Sequence, residues 1–136
     1  MVEKKPAASK PAAKKKKVAK PVTLAELLGK PKRTGKFEFR LEDELAYIEF
    51  SAMSAKDFDD LTAAHPPTPA QKADNYNWNV DTMYQPLIAA CAIDPVLTLD
   101  EATQFIESDS WSFGELNSMY RTVVNLNTSG ASVSFT

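Results

Sequence analysis

Residues 61–95 read LTAAHPPTPAQKADNYNWNVDTMYQPLIAACAIDP, and the fold turns on this stretch. Leu61 to Ala64 closes a helical pattern that His65-Pro66-Pro67-Thr68-Pro69 cannot continue. Each proline fixes φ, lacks an N–H and pushes the preceding residue out of the helical region. Asn75 to Asn79 alternates aromatics with asparagines and reads as an ordered loop. Pro86-Leu-Ile-Ala-Ala-Cys-Ala-Ile93 is the most apolar run in the chain. Pro86 suits a first helical position, where its missing N–H costs nothing. Leu87, Ile88 and Cys91 then share one face.

Upstream, Lys36-Phe-Glu-Phe-Arg-Leu41 alternates with period two, which puts Phe37, Phe39 and Leu41 on one side. Glu42 to Glu44 is turn-like, and Leu45 to Ala52 reads as a second strand with Ile48 and Phe50 on one face. Two strands are not stable alone, so the hairpin must pack on helices. Ser54-Ala-Lys-Asp57 opens a helix with Phe58, Leu61 and Ala64 inward, and His65 caps its end. Downstream, Thr98 with Glu101 and Ser112 with Glu115 have the form of capping boxes, with Leu97/Ala102 and Trp111/Leu116 as hydrophobic staples. Ala102, Phe105 and Ile106, then Leu116, Met119, Tyr120, Val123 and Leu126, form helical apolar faces.

The expected fold is α+β: mostly short helices packed with one N-terminal β-hairpin over residues 36–127. Residues 23–35 form a short helix and linker, in which Thr23 and Glu26 make another capping box, Leu24, Leu27 and Leu28 an apolar side, and Gly29 a stop. Residues 1–22 are almost entirely Lys, Pro and Ala and should be a disordered basic arm. Residues 128–136 should be a flexible tail.

The formal net charge of −2 conceals a strong asymmetry. Residues 1–40 carry thirteen Lys/Arg against three Asp/Glu, a net of +10; residues 41–136 carry three against fifteen, a net of −12. A basic arm on an acidic domain follows, and the arm raises the expectation of a weak nucleic-acid contact through residues 1–22, since lysines neutralise phosphates without reading sequence. No aromatics interleave with those lysines to stack on bases. The single cysteine excludes an internal disulfide and fits a reducing compartment. No run approaches the roughly 18 apolar residues of a membrane span, and no apolar segment of secretory type follows the N-terminal charges.

The residues do not assemble into an enzyme signature. Four scattered glycines make no phosphate loop, and nothing brackets a nucleophile elbow. His65, the only histidine, has no partners at metal-ligand spacing. Cys91 sits on an apolar helical face, where a thiol serves as a small hydrophobe. No catalytic, cofactor or metal site is expected. The candidates for partner binding are Leu24, Leu27 and Leu28, with Trp78 and Tyr84 beside the proline corner, because none has an obvious internal partner in the sequence.

The sequence also carries a resemblance. AHPPT, a short polar loop, an aromatic-Asn-Val segment, then PLIAAC and an acidic residue before proline resemble the tail assembly chaperones of long-tailed, siphovirus-type actinobacterial phages, over a span from Thr23 to about Asn127. The resemblance implies a protein of the host bacterial cytoplasm, absent from the mature virion. It implies several copies binding the tape measure protein and keeping it soluble while the tail tube protein assembles around it. It also implies that this chain is the short form of a pair whose longer product arises by ribosomal frameshifting. The Lys/Pro/Ala arm departs from the family pattern. Two alternatives stand beside this reading: a nucleic-acid-binding assembly protein acting through the arm, and a structural tail or head-completion protein.

Overall fold

The computed structural model describes residues 19–130. Of the arm expected over residues 1–22 only 19–22 are described, without regular structure, and of the tail expected over 128–136 only 128–130, where the last helix runs on through Thr128; the remainder of both lies outside the described residues. The chain divides into two units between Pro31 and Lys32. In the first, Thr23 caps helix α1 (Leu24–Leu28) with a complete capping box. The Thr23 N–H donates to the Glu26 carboxylate at 3.0 Å, and the Glu26 N–H donates to the Thr23 hydroxyl at 3.2 Å. These bonds hold the Glu26 carboxyl below its ordinary range. Gly29 follows at φ −92°, so the helix stops without using a left-handed glycine.

The second unit begins at Lys32, ahead of the boundary expected at residue 36. The Arg33 carbonyl accepts the Ala52 N–H, and the Arg33 guanidinium donates to the Ser129 carbonyl. Strands β1 (Thr34–Leu41) and β2 (Glu44–Ser51) form the expected hairpin, in the register Phe37↔Ile48 and Phe39↔Ala46. The two-residue turn places Glu42 and Asp43 at φ 50° and 68°, the left-handed pair that a tight type I′ hairpin requires. Ile48 and Phe50 are buried, whereas Leu41 and Leu45 lie beyond the covered part of the sheet and are exposed.

The structure adds a third strand in what the sequence pattern reads as the end of the apolar helix. Helix α4 ends at Cys91, and Ala92 continues without a loop as β3 (Ala92–Asp94), antiparallel to β2. The sheet order is β1-β2-β3.

Helix α2 (Ala55–Ala64) runs from a Ser54 N-cap to a His65 C-cap, as expected, though Ala64 is exposed rather than inward. The proline corner does more than stop it. Thr68 and Gln71 make a capping box around Pro69, and a new helix, α3 (Pro69–Ala73), starts there. Helix α4 (Tyr84–Cys91) begins two residues ahead of Pro86, which therefore sits in the first turn but not at its first position. The first-turn N–H groups have no intrahelical partner, so the proline is still tolerated. Helices α5 (Leu99–Ile106) and α6 (Phe113–Thr128) open on the expected boxes at Thr98/Glu101 and Ser112/Glu115.

The core gathers Phe50 of the sheet, Met83, Leu87, Ile88 and Cys91 of α4 and its approach, Ala102 of α5, and Met119 and Val123 of α6, all fully buried. Trp111, the N-terminal side of the α6 staple, stands edge-on to both Phe39 at 4.9 Å and Phe105 at 5.0 Å, joining sheet to α5. Asn127 ties the far end. Its amide donates to the Val123 carbonyl at 2.9 Å and approaches the Cys91 Sγ at 3.5 Å, while its Oδ1 accepts the Met53 N–H at 2.7 Å.

A residue with a Cβ loses about 1 kcal/mol or more in the left-handed region. Replacing Glu42-Asp43 by Asn-Gly should therefore raise stability by roughly 1 kcal/mol, read as a higher urea midpoint with an unchanged slope.

Candidate functional site

The proline corner and the aromatic–asparagine loop build one surface. The Asn79 N–H donates to the His65 carbonyl at 2.8 Å, and the His65 Nδ1 lies 2.8 Å from the Thr82 hydroxyl. The histidine thus latches α2 to the approach of α4, and its ring serves Thr82 instead of the last carbonyls of its own helix. Gln71 reaches Asp81 at 3.3 Å from the other side.

Helix α3 ends in a Schellman motif. The Tyr76 N–H donates to the Gln71 carbonyl and the Asn75 N–H to the Lys72 carbonyl, each at 3.0 Å, with Asn75 at φ 69°. Asparagine tolerates that conformation better than most residues. The motif fixes the backbone from which Tyr76 projects, half exposed, over the surface between α3, α4 and α6.

Three adjoining hollows meet at Tyr76. One of about 620 Å³ is lined by Pro66, Pro67, Lys72 and the Asn75–Asn77 loop. A second of about 360 Å³ runs between Tyr84 and Gln85 of α4 and Phe113, Asn117 and Tyr120 of α6. The third, about 250 Å³, shares Tyr84, Asn117 and Tyr120 and adds Trp78 and Arg121. Together they form an open groove with aromatic walls, flanked by the amides of Asn75, Asn77 and Asn117 and by the charged side chains of Lys72, Asp81 and Arg121.

Of the residues singled out in the sequence, Trp78 and Tyr84 meet in this groove. The internal partners that the sequence leaves unspecified are aromatic in both cases. Trp78 packs edge-to-face on Phe58 at 6.0 Å, and Tyr84 stacks parallel to Tyr120 at 4.1 Å. Both are half-buried, with one side on the core and one side in the groove. Burial, with Tyr84 adding to it, pushes the Tyr120 phenol above its usual range, so it stays a neutral hydrogen-bonding group.

Phe113, Asn117 and Tyr120 are groove residues; the sequence pattern reads Phe113 within the cap and Tyr120 as core, and gives Asn117 no role. The available signal is Phe113 at the first position of α6, a place that neither capping nor the core explains; it is 84% exposed. Leu24, Leu27 and Leu28 stand on the separate first unit, 70%, 60% and 79% exposed.

Beside the groove a base and a hydroxyl lie at hydrogen-bonding distance, His65 Nδ1 and Thr82 at 2.8 Å, where they form the latch between α2 and the approach of α4. Among the described residues no group of three or more His, Cys, Asp and Glu side chains is placed to hold a metal ion, and no helix is long and apolar enough to cross a membrane. Cys91 is fully buried, and burial raises its thiol above the ordinary range, with the Asn127 amide opposing. No protein-family model matches the chain, and no curated protein or solved structure matches it.

Two outcomes test this geometry. Phe113→Ala should leave stability within about 0.5 kcal/mol, whereas Tyr120→Ala, which removes the stack on Tyr84, should cost about 2–4 kcal/mol in urea unfolding. For Cys91 the folded-state thiol titrates higher than the unfolded one. Its contribution is therefore complete below the unfolded value of about 8.5 and is lost as pH rises towards the folded value. Cys91→Ala should flatten the early alkaline fall in stability above about pH 8.5, at a cost of roughly 1 kcal/mol at neutral pH.

Proposed function

We propose that this chain is a phage tail assembly chaperone that binds the tape measure protein and keeps it soluble while the tail tube forms. The observation that carries the binding role is the groove around Tyr76, which offers exposed aromatic surface beside amide and charged side chains. An amphipathic helix suits such a groove: its apolar side chains lie on Tyr76, Tyr84, Phe113 and Tyr120, and its polar flank meets Asn75, Asn77 and Asn117. The identity of the partner rests on the order AHPPT, aromatic-Asn-Val, PLIAAC and the segments around them. The exposed leucines of α1 supply a second apolar contact on a separate unit, and an acidic domain of net −12 past residue 40 keeps a coated complex soluble by self-repulsion.

A long helical target repeats its sites, so several copies bind one partner, and modest single-site affinity suffices through multivalency. On this reading the chain acts in the host cytoplasm, is no enzyme, is absent from finished particles, and has a longer frameshifted companion. The basic arm makes at most an accessory nucleic-acid contact.

Co-expression with the tape measure protein is expected to raise that protein's soluble fraction severalfold. Tyr76→Ser with Phe113→Ser should remove most of the gain, and Leu24→Asp with Leu28→Asp should reduce it further, while both variants keep the wild-type urea midpoint. Deleting residues 1–22 should leave it unchanged. A tape measure protein that stays insoluble beside the wild-type chain, together with tight DNA binding at physiological salt that vanishes with the arm, would replace this reading with the nucleic-acid one.

A further inference from the structure

β1 is an edge strand of eight residues, and β2 is its one hydrogen-bonded neighbour in the sheet. Among the described residues nothing else bonds to the backbone of Thr34–Leu41. Proteins usually blunt such an edge by shortness, proline, a bulge or charged side chains, lysine above all. The opposite edge, β3, is three residues long and carries the register shift, whereas β1 pairs regularly along its whole length and contains no proline. What its outward face carries is an alternation of charge: Lys36, Glu38, Arg40.

The hairpin decides which backbone groups are free. Leu41 and Glu44 flank a two-residue turn and so form a closely hydrogen-bonded pair. Residues 35, 37, 39 and 41 therefore aim their N–H and C=O groups at β2, and Thr34, Lys36, Glu38 and Arg40 aim theirs at the free edge. A second copy adding antiparallel to this edge must pair these four residues with one another, which leaves three central registers. With Glu38 on the two-fold axis, Glu38 faces its own copy and Lys36 faces Arg40, so every charged pair repels. With Phe39 on the axis, Glu38 faces Arg40, but Lys36 falls opposite Glu42 in the turn, where the backbone is left-handed and cannot extend the ladder. With Phe37 on the axis, Lys36 faces Glu38 and Glu38 faces Lys36, Thr34 faces Arg40, and the whole strand pairs.

We propose that β1 joins β1 of a second copy of this chain, antiparallel and with Phe37 on the two-fold axis, to make a continuous six-stranded sheet. About eight main-chain hydrogen bonds form across the join. Phe37 meets its own copy as the central, closely spaced non-hydrogen-bonded pair. Phe37 and Phe39 are half-buried within one copy, with Trp111 against both at ring-centroid distances of 6.4 and 4.9 Å, and the join covers the part of each ring that Trp111 leaves exposed. The proposal is independent of which partner occupies the Tyr76 groove, which lies on residues outside β1 and β2.

Sedimentation equilibrium of the full chain at about 0.15 M salt tests it. A reversible monomer–dimer equilibrium is expected. Glu38→Lys, which sets lysine against Lys36 twice across the axis, should weaken the dimer at least about tenfold. Lys36→Glu combined with Glu38→Lys should restore it to within about threefold, because the pairs are reversed and not removed. In the Phe39-centred register the same double variant would set the lysine introduced at position 38 against Arg40 and stay weak. Glu38 faces Tyr47 within the hairpin, so Glu38→Lys should leave the urea midpoint near wild type, whereas Lys36 faces Glu49 and lies 4.4 Å over the Tyr47 ring, so the double variant should show a lower midpoint while still folding, and its dimerisation is read on the folded chain. A chain that remains monomeric at several hundred micromolar, a dimer indifferent to Glu38→Lys, or a double reversal as weak as the single one would overturn the proposal.

Discussion

Burial of the Leu87–Ile88–Cys91 face of α4 is the interaction on which the other elements depend. The helix has eight residues, no side-chain N-cap and no charged residue, so by itself it would not persist in water. It persists because Phe50 of the sheet, Ala102 of α5 and Met119 and Val123 of α6 close around it. Because Ala92 follows Cys91 directly into β3, placing α4 also places the third strand. The same burial therefore fixes which face of the hairpin turns inward.

Within the second unit α2, α3 and α5 are short and, like the longer α6 and the separate α1, rely on their starts. Thr23, Thr68, Thr98 and Ser112 each anchor a reciprocal capping box, and Ser54 caps α2 with its hydroxyl alone. Capping satisfies otherwise orphaned N–H groups at a cost of few residues, and it leaves the helix faces free for packing. Polar latches then join the capped pieces: His65 to Asn79 and Thr82, Gln71 to Asp81, and Asn127 to Met53 and Val123. The groove at Tyr76 is a product of these latches, since its walls come from α3, α4 and α6 and no single element contains it. A rigid frame with aromatic walls suits recognition by surface, which is the role proposed for it.

The elements legible in the sequence are those set by neighbours within about four residues. The boxes at Thr23, Thr98 and Ser112, the alternation through Phe37 and Phe39, and the helix-ending prolines are readable because capping, pleating and proline stereochemistry are local. Helix α3 is readable in principle from the same Thr68-x-x-Gln71 device, but the prolines around it read as a break alone. The buried face of α4 is evident from composition and spacing.

Tertiary structure alone decided the rest. Ala92–Asp94 carries no strand pattern of its own; it becomes a strand because α4 delivers it beside β2. The Tyr84–Tyr120 stack, and Asn127 turned inward to Met53, join positions far apart in the chain, and no local periodicity encodes such a meeting. Leu41 follows the alternation of β1 and is still exposed, because burial depends on what covers the end of a sheet. Sequence by itself thus determined where helices and strands begin and which faces are apolar, since those follow from backbone and side-chain chemistry a few bonds away. Which of those faces were covered, and which aromatics stayed open as a groove, was settled by packing between distant segments.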